Sequence, residues 1–215
     1  MAQKACIFDL DGVITDTAHY HFLAWRRLAQ SLNIPFDEED NHRLKGVGRM
    51  ESLAYILDKG ARTVSDDELA SLAHQKNKDY QDLITGISPT DLLPGILDAF
   101  AWLKSHGWLV GLASASRNAP QVLAGLKITE QFDYVADAGA IPNGKPAPDI
   151  FLDVAKAFGL SASQCVGVED AVAGITAIKS AGMYAAGIGD AAVLTEADIV
   201  LPTPEGLPEQ VFSIF

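Results

Sequence analysis

The sequence predicts an α/β fold: a Rossmann-like parallel-sheet core with an inserted α-helical cap domain. Two observations predict it. Short apolar runs recur at Ala5–Phe8, Leu109–Ala113, Cys165–Val168 and Tyr184–Ile188, each followed by small or acidic residues and in most cases by a helical pattern. Strands alternating with helices build right-handed βαβ units and hence a parallel sheet. Between the first run and the second, from about 16 to 87, apolar residues recur only at helical spacing.

Taken in chain order, Ala5–Phe8 reads as a strand buried on both faces, with Asp9-Leu10-Asp11-Gly12 at its carboxyl end. His21, Phe22, Trp25, Leu28, Ala29 and Leu32 then mark a first helix, and Leu53, Ile56 and Leu57 a second. Ser65-Asp66-Asp67-Glu68 has the form of a capping box ahead of Leu69, Leu72 and Ala73. Pro89 and Leu93-Pro94-Gly95 return the chain to the core, where Ile96–Ser105 forms a helix. Phe132–Ala136 and Ala197–Leu201 complete the strand set, the latter as an edge. The expected division is a core of 1–15 and 93–215 and a cap of 16–92, with hinges at Thr15–Thr17 and Ser88–Pro94.

Composition bounds the function. With 48% hydrophobic and 20% charged residues over 215 positions, the chain has the make-up of a globular protein of one domain, or of one domain with an insertion. A net charge of −12 argues against nucleic acid or an anionic membrane as partner. Charges inside the first apolar run speak against a signal peptide, and no apolar stretch approaches the ~20 residues of a membrane span. A cytoplasmic monomer is expected. Cys6 and Cys165 fall in buried strands and read as inert core thiols.

Residues two apart on a strand share a face, so Asp9 and Asp11 face one site just beyond a strand end, where open α/β sheets bind ligands. Two such carboxylates repel unless a cation neutralises them. Three further groups fall at or past strand ends: Ser114-Ala115-Ser116, Lys145-Pro146 and Glu169-Asp170. Each alone has a bland reading as a helix cap, a turn or a solvated loop. Together they supply what phosphoryl transfer needs, which is positioning plus electrostatics. Asp9 is placed to attack phosphorus, and Asp11 to act as general acid and base. Ser114 and the backbone N–H groups of Ala115 and Ser116 suit phosphoryl oxygens, and Lys145 suits their charge. Asp9, Asp11 (through its carbonyl), Glu169 and Asp170 are the expected set around Mg²⁺. Residues alone give the substrate only as a phosphorylated small polar molecule.

The order DxDG, Ser, Lys-Pro, Glu-Asp resembles the haloacid dehalogenase superfamily over the whole chain, and the helical insert after the first motif is similar to that superfamily's cap. Phe8 to Thr17, His21, Trp25, Lys45-Gly46-Val47, Arg49, Ser52, Ser114-Ala115-Ser116, Asn118, Lys145 to Asp149 and Glu169-Asp170 resemble the β-phosphoglucomutases within it. Gly48 and Met50 depart from the polar residues more usual there. The resemblance implies Mg²⁺, small phosphorylated sugars as partners, and β-D-glucose 1-phosphate and glucose 6-phosphate as the substrate pair. It also implies substrate contacts from Thr17, His21, Trp25, Lys45, Gly46, Val47, Arg49, Ser52, Lys76, Ala115, Ser116, Arg117 and Asn118. Among these, Lys45, Arg49 and Lys76 are the cap's own cations, for a distal phosphate, and His21 is expected to bridge Asp11 and the sugar. Trp25 also has a plain packing reading. A sugar-phosphate phosphatase with the same residues and a phospho-accepting receiver module are the alternatives. The isomer of the Lys145–Pro146 bond stays open.

Overall fold

The structure, a computed structural model, describes residues 3–215. Six parallel strands form one sheet: β1 (Ala5–Phe8), β2 (Leu109–Leu112), β3 (Tyr134–Val135), β4 (Cys165–Glu169), β5 (Tyr184–Ile188) and β6 (Ile199–Leu201). Their order is β3-β2-β1-β4-β5-β6. β1 is central, pairing Phe8 with Leu112 on one side and with Val168 on the other.

Both sheet faces are covered. Cys6 and Phe8 face a core shared with α5 (Ile96–Ser105) and α6 (Ala119–Leu126), while Ala5 and Ile7 face α7 (Asp149–Ala157) and α8 (Val172–Ser180). This double burial is why the strands read as continuous apolar runs and not as alternating ones. Cys6 and Cys165 are buried free thiols, and burial pushes both up.

Four helices follow β1: α1 (Ala18–Ser31), α2 (Glu38–Arg43), α3 (Arg49–Lys59) and α4 (Asp66–Leu83). Trp25 and Leu28 of α1, Leu53, Ile56 and Leu57 of α3 and Ala73 of α4 form a hydrophobic cluster of their own. Tyr80 and Ala24, lower on α4 and α1, join the sheet's cluster instead, so the helical layer is rooted in the core. The chain leaves and re-enters the core at neighbouring points. Thr15 Oγ1 donates to the Asp91 carbonyl at 2.7 Å, and the Leu93 N–H donates to the Ile14 carbonyl at 2.9 Å.

Four expectations are trimmed, Leu109–Ala113 by its last residue. Phe132–Ala136 contracts to the two residues of β3, and Ala197–Leu201 to β6. Just before the latter, the Asp198 N–H still donates to the Ala185 carbonyl at 2.9 Å, while its carboxylate accepts from the Ala185 N–H and the Lys179 ammonium. The capping box at Ser65 is half made. Ser65 accepts from the Glu68 N–H, but the Glu68 carboxylate goes to Arg62 at 3.0 Å.

Candidate active site

The acidic pair sits on a turn that only a glycine completes. The Asp9 N–H still donates to Val168, extending the sheet, and Gly12 then takes φ +78°, in the left-handed region. A Cβ at Gly12 would collide with the Asp170 carboxylate. The first and last motifs are thus packed directly on one another.

Lys145 lies at the centre, its side chain wholly enclosed. Its ammonium donates to Asp9 Oδ1 and to Glu169 Oε1, both at 2.6 Å. Glu169 Oε2 accepts from the Ala171 N–H at 2.8 Å, and Gly174 leaves the room that its carboxylate fills. Burial pushes the Lys145 ammonium down, but the Asp9 and Glu169 charges outweigh it, so the lysine is held more firmly protonated than usual. Burial pushes the Asp9 carboxyl up, with Lys145 opposing and Glu169 and Asp11 adding repulsion. The Lys145–Pro146 peptide is cis.

Asp9, Glu169 and Asp170 each offer an oxygen within 4.8 Å of the others. This is an oxygen-only donor set with more negative charge than Lys145 neutralises, and it fits a hard divalent cation. Burial, then the Glu169 charge, raise Asp170 to about 6. Asp11 stands beside this set, not in it. Burial and the Asp170 charge push its carboxyl up to about 7, with Lys145 and Lys76 opposing. Asp11 Oδ1 is buried without a partner, and Oδ2 lies 3.8 Å from His21 Nε2. A carboxyl that is neither ion-paired nor satisfied is free to exchange a proton with a ligand.

The acids open into a cavity of about 320 Å³ lined from both layers. Gly46, Val47, Arg49 and Ser52 line it from the helical side, with Trp25 and Lys76. Ala115, Ser116, Arg117 and Asn118 line it from the carboxyl end of β2. Lys76 is nearly enclosed, lies 4.3 Å over the Trp25 ring and meets His21 Nδ1 at 2.9 Å. Burial, then Arg49, lower it to about 7, and burial, then the Lys76 charge, hold His21 well below its usual range. Trp25 accordingly serves both readings, as a member of the helical cluster and as a wall of the cavity.

Some expected positions are placed differently. Lys45, expected on a distal phosphate, lines the cavity but pairs with Asp170 at 3.0 Å. Ser114 is buried outside the lining. Its Oγ accepts from the Ser116 N–H at 3.1 Å, so it shapes the loop. Thr17 also lies off the cavity, as the residue whose carbonyl starts α1 by accepting from the His21 N–H at 3.1 Å. Glu169 sits behind Lys145, beneath the surface that a ligand would touch. Ala138, Ile141, Pro142 and Gly144 form a wall that the sequence reading missed. The turn-rich run leading into Lys145 was the signal for it.

Residues 3–182 match the family model for haloacid dehalogenase-like hydrolases. The chain is 50% identical over 201 residues, 93% of its length and 89% of the other, to the β-phosphoglucomutase of Bacillus subtilis. It is 32% identical over 83% of its length, and 93% of the other, to a fructose-1-phosphate phosphatase of Escherichia coli. A crystal structure of β-phosphoglucomutase from Clostridium difficile superposes with a TM-score of 0.95 and 44% identity, covering 99% of this chain and 95% of that one. With a family model spanning the first four strands and all four motifs, and a half-identical relative over nearly the whole length, this chain belongs to the haloacid dehalogenase-like hydrolase family.

Proposed function

We propose that the chain is a Mg²⁺-dependent phosphomutase, a β-phosphoglucomutase. It interconverts β-D-glucose 1-phosphate and glucose 6-phosphate through β-glucose 1,6-bisphosphate and an aspartyl phosphate on Asp9. The observation that carries this is one cavity with two separate cationic groups. Lys145 is locked onto the acids. Arg49 and Arg117 enter from opposite layers, and burial together with the Arg117 charge lowers Arg49. Among the described residues neither guanidinium has an acid at ion-pair distance. Two guanidiniums without an ion-pair partner in one cavity suit the second phosphate of a bisphosphate. They also answer the net charge of −12, since an anion is drawn in by a local field of opposite sign.

The chain's own groups account for each transfer. A carboxylate oxygen of Asp9 forms the bond to phosphorus as the bond from phosphorus to the sugar oxygen breaks. Asp11 supplies the proton to that leaving oxygen, and in the reverse sense takes it from the attacking hydroxyl. Lys145 keeps Asp9 aligned and offsets charge on the phosphoryl oxygens. Residues 16–92, read as a cap over the core 1–15 and 93–215, shield the acyl phosphate from water. Mg²⁺, held by Asp9, Asp170 and the Asp11 carbonyl with Glu169 behind, supplies further charge neutralisation when bound. On this reading the partners are small phosphorylated sugars and the enzyme acts as a cytoplasmic monomer. No helix among the described residues is long and apolar enough to cross a membrane.

The test offers β-glucose 1-phosphate, Mg²⁺ and a trace of bisphosphate, and follows glucose 6-phosphate and free phosphate together. Wild type is expected to isomerise far faster than it releases phosphate; the opposite ratio selects a phosphatase. Arg49→Ala is expected to lower kcat/KM by roughly 100-fold, the scale of losing charge-assisted bonds to one phosphate. An unchanged Arg49→Ala would remove the second grip.

Cation binding has a readout apart from turnover. Mg²⁺ at about 100 times its Kd adds about 2.7 kcal/mol, or roughly 5–10 °C in Tm for a chain of this size. Chelator should reverse the shift and Asp170→Ala abolish it; a Tm indifferent to Mg²⁺ sinks the metal assignment.

A further inference from the structure

Asn118 opens α6, but its side chain does not cap that helix. An asparagine at a helix start ordinarily turns its oxygen back onto the first backbone N–H groups. Here the amide reaches out of the core and meets α4. Asn118 Nδ2 donates to Asn77 Oδ1 at 2.8 Å, and Asn118 Oδ1 accepts from Gln81 Nε2 at 3.0 Å. Asn77 and Gln81 stand four apart, hence on one face of α4. Lys76 and Tyr80, each one residue earlier, turn instead toward the His21 cluster. α4 therefore engages two sides of the cavity at once.

A carboxamide has two N–H donors and two acceptor lone pairs, and its terminal torsion is broad and nearly two-fold. Left to itself, Asn118 would present its oxygen to the cavity as readily as its nitrogen. An anion tolerates only the nitrogen. Asn77 and Gln81 are amides too, so the three can turn over together; what their two bonds fix is the place and plane of the Asn118 amide, leaving one N–H unspent for an anion that then sets the polarity. Asn118 is itself 7% exposed and lines the cavity beside Ser116 and Arg117.

We propose that Asn77 and Gln81 are positioning residues that hold the Asn118 amide at the cavity wall, ready to donate to the distal phosphate, and do so only while α4 is seated on the core. The anion and the helix grip one amide, so each strengthens the other's hold, as reciprocal linkage requires. This rests on the distal-phosphate reading above.

The test uses side chains of similar length at residue 81. Gln81→Met removes the donor and should raise KM for β-glucose 1-phosphate about 5- to 10-fold, the worth of one such bond, with kcat within about twofold. Gln81→Lys restores a donor and should return KM to within about twofold of wild type. In an Asn118→Ala background, Gln81→Met should change nothing further, because the residue it acts through is gone. A second readout needs no turnover. The Asn118 side-chain amide protons, followed by NMR, should exchange with water about 5- to 10-fold faster in Gln81→Met, which separates failure of this proposal from failure of the mutase assignment. Wild-type KM and exchange in Gln81→Met would overturn it, as would an equal KM penalty with and without Asn118.

Discussion

Asp9→Asn is expected to abolish isomerisation, with a loss on the order of 10⁴-fold or more, the scale on which removing a covalent nucleophile acts. The amide is nearly the same size, so the site's shape survives. Lys145 keeps Glu169 as a full counter-charge at 2.6 Å, which spares the fold. What disappears is an anionic oxygen able to bond phosphorus. In a rapid-quench experiment with labelled bisphosphate, wild type should carry label on residue 9 and the variant none. Label on another side chain, or turnover in the variant above a hundredth of wild type, would refute the assignment.

Lys145→Ala is the second large effect, and it strikes stability as well as rate. The ammonium bonds two carboxylates that are themselves nearly inaccessible. Without it, Asp9 and Glu169 face each other uncompensated, and removing one member of a buried charge cluster costs about 3–5 kcal/mol. The penalty has a definite pH dependence. Carboxyls whose pKa is raised by folding bind protons more tightly folded than unfolded, so the folded state is favoured as pH falls and disfavoured as it climbs. Asp9 is already pushed up by burial, and losing the lysine pushes it further. The stability gap between variant and wild type should therefore narrow from neutral pH down toward the ordinary carboxylate range. Denaturant midpoints across that interval check it; a gap that widens on acidification would mean that Lys145 does not neutralise these acids.

The sheet was legible because its signals are local. Ala5–Phe8 and Tyr184–Ile188 are β1 and β5 residue for residue, and Ile96–Ser105 is α5. The acids and Lys145 were legible for a related reason. In an open parallel sheet the residues just past each strand gather along one edge, so Asp9, Ser116 and Asp170 converge without knowledge of packing. Whatever depends on how the helical layer docks was not legible. Nothing near Lys45 shows that its partner is Asp170, 125 residues away, and nothing near Asn118 points to Asn77 and Gln81. Ser114 and Thr17 carry suitable hydroxyl groups, and both lie outside the cavity lining. Glu68 had the right spacing for its cap and was drawn off by Arg62.

The position of β1 governs how such a chain can acquire its shape. It is the middle of the sheet, yet its neighbours begin at residues 109 and 165. During synthesis this strand must wait for both, its apolar residues unpaired, while the nearer helices α1 to α4 can close among themselves. Contacts so distant in sequence slow the search for the native state and lengthen exposure to misassociation. Interrupted translation before residue 165 would therefore release a polypeptide with ordered helices and no completed sheet.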